Sequence, residues 1–343
     1  MNMKKIIFLI LILLTIFGCG QKEISGTAEK RFTEDRFLFG TYIQIIVYSE
    51  NEKTAKSAMD KAFDKIVEID SKYNSKTKGS IIYNLNNSEN KEAVLDSEGV
   101  MLFNEVRRVY ELSHGKYDIT VSPLLETWGF FSDGRENVPS EAELKETLKY
   151  VDFEKVVLEG NLLKINKPVK EIDTGSFLKG YAVEEGKKIL AEEGIKYGFI
   201  SSISSISTVG GKADGTPWKI GIQDPSTSNK ILGIAEIEGK ALGISGDYQT
   251  YVEINGQKYH HIMDKTTGYP VKDKKLVVVI CDSAFLADMY STAFFNMDTE
   301  EIFNFAEKEN IQVLIVDVNN VIKTTKSFKW KKENAWNKTE KLI

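Results

Sequence analysis

The spacing of apolar residues separates the N-terminus from the rest of the chain. Lys4 and Lys5 precede the apolar run Ile6–Phe17, and then Gly18, Cys19 and Gly20. The run is shorter than the roughly 20 residues that span a bilayer, and it matches the apolar centre of a secretory signal. Gly20–Arg36 is polar and aperiodic and reads as a tether. The folded body is expected from Phe37. Thr41–Ser49 has strand composition, and the following stretch to Tyr73 repeats its apolar residues at helical spacing. Further helices are predicted over Val100–Ser113, Ser140–Lys149, Phe177–Glu193 and Ala284–Met297, with a shorter one ending at Lys308. Gly115–Gly134 mixes Pro, Gly and aromatics without a period and is expected to be an ordered loop.

The second half is rich in short strands: YGFISSI, WKIGIQD, ILGIAEIEG, ALGIS, KLVVVICD and IQVLIVD. Hairpins are predicted at Glu159–Asn161 and at Asn255-Gly256, the pair that favours a two-residue turn. Hairpins and helices alternate irregularly, which favours a mixed α+β fold of largely antiparallel sheets over a doubly wound parallel sheet. No proline-rich linker divides residues 37–343, so they are expected to form one compact, bilobed unit.

Of the 343 residues, 42% are hydrophobic and 28% charged, an ordinary globular composition. The net charge of −5 gives no broad footprint for nucleic acid. Gly18-Cys19 after an apolar run resembles the bacterial lipobox. That implies removal of residues 1–18, lipid on the Cys19 sulfur and an extracytoplasmic body; a plain signal anchor is the alternative. Two acyl chains hold a protein stably on a membrane. With Cys19 lipidated, Cys281 has no partner for a disulfide. It closes an apolar run and is expected to be a buried strand end, without the polar surroundings of a nucleophile.

Asp288 and Thr292 stand four apart in the predicted helix DMYSTAFF and share one face. Two hard oxygen donors side by side suit a cation, or form a polar face wetted by solvent. His260 and His261 are adjacent on a predicted strand, so at most one faces a given site; the turn DKTTGYP follows them. Asp118 is either a turn cap or a site residue. Asp173, Ser176 and Lys179 surround a predicted helix start, as a cap or as an anion site. The glycines of GGKADG lack dinucleotide or Walker spacing, and no HExxH, CxxC or GxSxG is present.

Taken in order, FGTYIQI, SKYNSKTKGSIIYNLN, GKYDITVSPLLETWGF, EIDTGSFLKGYAV, VGGKADGTPWKIGIQDP, HHIMDKTTGYP and ADMYSTAFF resemble the ApbE family of FAD:protein FMN transferases. The resemblance implies an ApbE-like bilobed fold with FAD as substrate in the cleft. It implies Mg²⁺ at Asp288, Thr292 and the Ser176 carbonyl. It places Phe39 and Tyr73 near the flavin ring, Lys116, Tyr117 and Asp118 along FAD, and Asp173 and Lys179 around its adenosine and phosphates. The reaction implied is phosphoryl transfer of FMN to a threonine of an extracytoplasmic acceptor flavoprotein, with His261 as base and Asp288 sharing that role. Two rivals use the same residues: Mg²⁺-dependent FAD hydrolysis to FMN and AMP, and flavin binding without catalysis.

If Cys19 carries the lipid, Cys19→Ala releases the protein from membranes or stalls its processing. Membrane fractionation of the two forms checks this, and normal cleavage with full retention would refute it.

Overall fold

The computed structural model describes residues 29–132, 134–227 and 229–332. The apolar N-terminal run, Cys19 and residues 20–28 of the expected tether lie outside them. The described chain opens on a hairpin of β1 (Lys30–Leu38) and β2 (Thr41–Ser49), paired from Lys30↔Ser49 to Leu38↔Thr41. Lys30–Arg36 therefore belongs to the folded body and not to a tether. Its charges hid it: β1 turns Phe32, Glu34, Arg36 and Leu38 to its less exposed face. Arg36 lies 4.4 Å over the Phe63 ring and pairs with Glu34 and Asp60. Inward-pointing charge of this kind protects an edge strand from pairing with other chains.

Helix α1 (Glu52–Tyr73) follows, capped by Asn51, whose side chain accepts from the N–H groups of Lys53 and Thr54. Its apolar stripe runs through Ala58, Ala62, Phe63, Ile66 and Ile69 to Tyr73, all buried. Next come α2 (Ile81–Asn87), β3 (Glu92–Val94), α3 (Ser97–Leu112), α4 (Ser122–Thr127), α5 (Glu141–Leu148), β4 (Val156–Glu159) and β5 (Leu162–Ile165). The expected ordered loop thus contains α4. Six residues are too short to show a period, and Pro123, which reads as a breaker, is tolerated in a first helical turn. The β4–β5 hairpin falls at Glu159–Asn161 as predicted.

The second half holds α6 (Leu178–Glu192), β6 (Tyr197–Ser201), β7 (Ser205–Val209), β8 (Trp218–Gln223), β9 (Ile231–Ile237), β10 (Ala241–Gly246), β11 (Tyr251–Ile254) and β12 (Gln257–His260). It ends with β13 (Lys274–Cys281), α7 (Ala284–Asn296), α8 (Thr299–Lys308), β14 (Gln312–Asp317), β15 (Ile322–Thr324) and β16 (Trp330–Lys332). Asn255 and Gly256 both take positive φ and close the β11–β12 hairpin.

One antiparallel sheet, in the order β1-β2-β6-β7-β10-β13-β14-β15, forms the frame. Helices α1, α3, α6 and α7 pack on one face around Ile45, Ile66, Phe177, Phe294 and Val279. The small sheet β16-β9-β8 covers the other face, with Trp218, Ile220 and Ile222 against Ile46, Leu242 and Val278. Strand β13 is buried on both sides, so its KLVVVIC reads as a continuous apolar run. Cys281 closes that strand, and burial pushes its thiol up to about 12. A second, smaller core of Leu124, Trp128, Leu144, Val151, Ile254 and Met263 joins α4, α5 and the β11–β12 hairpin into a separate lobe. The expected mixed, antiparallel, bilobed architecture is the observed one.

Helix α7 sits between this frame and α6 with almost no clearance. A Cβ on Gly243 of β10 would fall 2.2 Å from the Ala287 carbonyl oxygen, and one on Gly180 of α6 would fall 2.5 Å from that of Ala284. Such backbone contacts cannot relax by a rotamer change. Gly180→Ala and Gly243→Ala are each expected to lower unfolding free energy by about 1–3 kcal/mol through overpacking. This is opposite in sign to the gain that Gly→Ala gives at an uncrowded site, and urea titration measures it.

Candidate active site

Between the frame and the smaller lobe lies a cleft of about 290 Å³. Most of its wall comes from four segments, Lys116–Ile119, Asp173–Lys179, the stretch from Ser245 to Met263 around His261, and the face of α7 bearing Asp288, Thr292 and Asn296, with Val121, Leu125 and Ser204 at its edges.

Asp288 is 4% exposed, in a helix buried almost all round. One carboxylate oxygen accepts the Gly180 N–H at 2.9 Å. Helix α6 begins at Leu178, so this N–H belongs to the first turn, where no intrahelical partner exists, and Asp288 satisfies it. Ser176 lies just before the helix and lines the cleft. Burial raises the Asp288 pKa, opposed by the charge of Lys179 and the Gly180 N–H. Thr292 lies one turn on, its hydroxyl 3.3 Å from the Ser245 hydroxyl and 3.5 Å from the Asp288 carbonyl.

The two histidines have separate fates. His260 is buried; its Nε2 meets the Val271 carbonyl at 2.7 Å and its Nδ1 accepts the Ile262 N–H at 3.2 Å. Both ring nitrogens are used, so it is a structural link. His261 lines the cleft with its Nδ1 3.1 Å from the Thr250 carbonyl. A carbonyl only accepts, so the proton sits on Nδ1 and Nε2 carries a lone pair. Desolvation lowers the His261 pKa to about 4, with the neighbouring charges of His260 and Lys179 adding to it and the Thr250 and Asp173 interactions opposing it. The ring is neutral at neutral pH.

Asp118 also touches the cleft, but its carboxylate is saturated. It accepts from the Thr120 N–H and hydroxyl, the Phe153 N–H and the Lys265 ammonium at 2.7 Å. The turn-cap alternative describes its side chain. Through Lys265 it also ties the GKYDIT loop to the DKTTG turn. Tyr117 is buried, and its hydroxyl lies 2.9 Å from the Ser176 hydroxyl. Asp173 caps the turn at Gly175 and receives the Ser75 hydroxyl, so it does not cap α6, which begins after Phe177 without a side-chain cap. The Lys179 ammonium reaches the Gly175 carbonyl at 2.7 Å, and Lys116 stands exposed at the rim.

Two expected flavin neighbours lie elsewhere. Tyr73 is 1% exposed in the main core, with its hydroxyl donating to Asp96, so it has no free ring face. Phe39 forms the β1–β2 turn at φ 53° and packs partly against that core. Neither lines the cleft. Ser245, Thr250 and Asn296 line it and were missed. Asn296 completes the 288/292/296 spacing on one helix face, a signal present in the sequence; Ser245 reads only as part of an apolar strand.

The donor set suits Mg²⁺. Among the described residues no group of three or more His, Cys, Asp or Glu side chains could cage a metal. A single buried carboxylate, one hydroxyl and a carbonyl leave most positions to water and substrate phosphates, which is the usual Mg²⁺ arrangement.

Fold and cleft thus define a two-lobed α+β protein with hard-oxygen donors beside a neutral histidine. The model of the ApbE family matches residues 39–315, and the chain belongs to that family. It is 30% identical over 283 residues to the FAD:protein FMN transferase of Vibrio cholerae, covering 81% of this chain and 82% of that protein. For the FAD:protein FMN transferase of Haemophilus influenzae the identity is 26%, over 75% of each. Among solved structures, the ApbE protein of Thermotoga maritima superposes with a TM-score of 0.80 at 28% identity, covering 87% of this chain and 98% of that one. The flavin transferase ApbE from Vibrio cholerae gives 0.75 at 26%, covering 88% and 98%.

His261→Ala is expected to reduce turnover by about 10²–10⁴-fold, the contribution of a positioned acid–base group, while His260→Ala mainly lowers stability. The depressed pKa of His261 keeps its base form present down to about pH 4. The acid limb of kcat/KM in the wild type is therefore expected near pH 4 and not near the ordinary histidine value. A limb at the ordinary value, or a larger turnover loss for His260→Ala, would remove His261 from the role.

Proposed function

We propose that the protein is an Mg²⁺-dependent FAD:protein FMN transferase that moves FMN from FAD to a threonine hydroxyl and releases AMP. The observation that carries this is the convergence of Asp288, Thr292 and a neutral His261 on one cleft, in a chain whose relatives bear that name along most of their length. Asp288, Thr292 and the Ser176 carbonyl would hold the metal. Bound there, Mg²⁺ supplies positive charge against the negative charge that builds on phosphoryl oxygens.

The residues of the chain divide the remaining work. Lys179, at the start of α6, offers its ammonium to the pyrophosphate. Asp173, Lys116 and the Tyr117–Asp118 backbone wall the cofactor. His261 Nε2 takes the proton from the attacking hydroxyl. A bond forms between the threonine oxygen and the phosphorus on the FMN side. The bond from that phosphorus to the bridging oxygen breaks, and AMP leaves with the oxygen. Asp288 has one oxygen on the Gly180 N–H and is assigned to the metal, which leaves the base to His261. The acceptors are flavoproteins outside the cytoplasm, reached by a body anchored through lipidated Cys19.

Incubation with FAD and Mg²⁺, with and without co-expressed candidate acceptors, tests the reading. Flavin fluorescence migrating with the acceptor on a denaturing gel is the expected result. FMN and AMP formed equally without acceptor would mean hydrolysis, and intact FAD would mean binding alone. Asp288→Ala is expected to abolish transfer at low Mg²⁺, Thr292→Val to weaken it with partial rescue by added Mg²⁺, and Thr292→Ser to retain it. A wild-type rate for Asp288→Ala would leave that face a polar side of a packed helix.

A further inference from the structure

A second cavity, of about 330 Å³, opens beside the first, and Asn296 belongs to the walls of both. The rest of its wall comes from the DKTTG turn and the chain after it, through Asp264, Thr267, Tyr269, Lys272 and Asp273. Asn296 is one turn beyond Thr292 on α7, so the cavity begins about 6 Å from the candidate metal site at 1.5 Å per residue. Two residues of extended chain cover that distance at about 3.3 Å each.

The charged groups of the wall already have partners. Asp264 accepts the Thr266 N–H and the Thr267 hydroxyl, and Asp273 pairs with the Lys274 ammonium at 2.6 Å. The Lys272 ammonium lies over the Tyr269 ring, and Tyr269 in turn packs edge-on against Trp128 of the smaller lobe. What stays open is main chain. The flanking residues are bonded, since the Val271 N–H goes to Ile262 and the Asp273 carbonyl accepts from Val318. Lys272 between them makes no main-chain hydrogen bond among the described residues. The open N–H and C=O of this one exposed residue can take main-chain hydrogen bonds from a bound polypeptide. A free ion or a nucleotide phosphate would call for unpaired side-chain charge instead.

We infer that this second cavity receives the acceptor polypeptide. A segment flanking the target threonine bonds the Lys272 main chain, and the threonine passes Asn296 to reach the phosphorus. The inference rests on the transferase reading and adds where the second substrate binds. It makes the smaller lobe a two-sided element, with His261 facing FAD and Lys272 facing the acceptor.

The test uses single-threonine peptide pools of about five and about twelve residues, the longer spanning roughly 40 Å when extended, with FMN transfer read by mass spectrometry. For the wild type, kcat/KM is expected to be about tenfold higher on the longer pool, the scale of one good interface anchor. Lys272→Ala keeps the main chain and should keep that advantage. Lys272→Trp fills the cavity and should erase it by raising KM, with FAD affinity by fluorescence quenching unchanged as the check on folding. Equal rates on both lengths in the wild type, including no transfer to either, would overturn the inference, as would an advantage that survives Lys272→Trp. FAD converted to FMN and AMP with no transfer even to co-expressed protein would instead fell the transferase reading itself.

Discussion

The hydrogen bond from the Gly180 N–H to Asp288 holds the site together. It joins the first turn of α6 to the middle of α7 and fixes one carboxylate oxygen. It also satisfies a first-turn N–H of α6 that has no partner within the helix. One of the three candidate metal donors is set by this one contact. The contact exists because Gly180 has no side chain: any Cβ there would strike the Ala284 carbonyl and Asp288 itself. Gly243 does the same on the sheet side. Helix α7 is thereby clamped between two backbones, and a buried carboxylate, costly in isolation, is kept where a cation can compensate it.

The other wall of the cleft is held by polar ties between distant segments. Asp118 gathers the Lys265 ammonium and the Phe153 N–H, and so locks the GKYDIT loop to the DKTTG turn. His260 ties the end of β12 to the Val271 carbonyl through Nε2 and accepts the Ile262 N–H on Nδ1. The indole N–H of Trp128 donates to the Gly268 carbonyl. Where these bonds are buried, as at Phe153, Ile262 and Trp128, the loss of one partner strands the other at a cost of about 1–3 kcal/mol. They let the smaller lobe, whose own core is slight, present His261 at a fixed position opposite α7.

The two walls differ in character, and the proposed chemistry uses the difference. The α7 wall is rigid and anionic and suits a cation and the phosphates it binds. The lobe wall carries a neutral imidazole and, beyond it, the open main chain of Lys272. A phosphoryl transfer between a nucleotide and a protein needs one side of each kind.

The sequence by itself determined the elements and much of the chemistry. The apolar period placed α1, α3 and α6, Asn255-Gly256 placed a hairpin, and the spacing of Asp288 and Thr292 put two oxygens on one helix face. These are local facts, set by 3.6- and 2-residue periods and by turn chemistry. Strand β1 escaped because its inward charges broke the alternation, and α4 because it is too short to have a period. Which carboxylates remain available was decided only by tertiary contacts. Asp118 and Asp288 look alike in sequence, yet the fold spends every acceptor of the first on the chain and sets only the Gly180 N–H and the Ser205 hydroxyl beside the second. Tyr73 and Tyr117 look alike as well, and packing buries one in the core and sets the other against Ser176 at the cleft. The partners that make these distinctions lie tens to more than a hundred residues away, where no local pattern reaches.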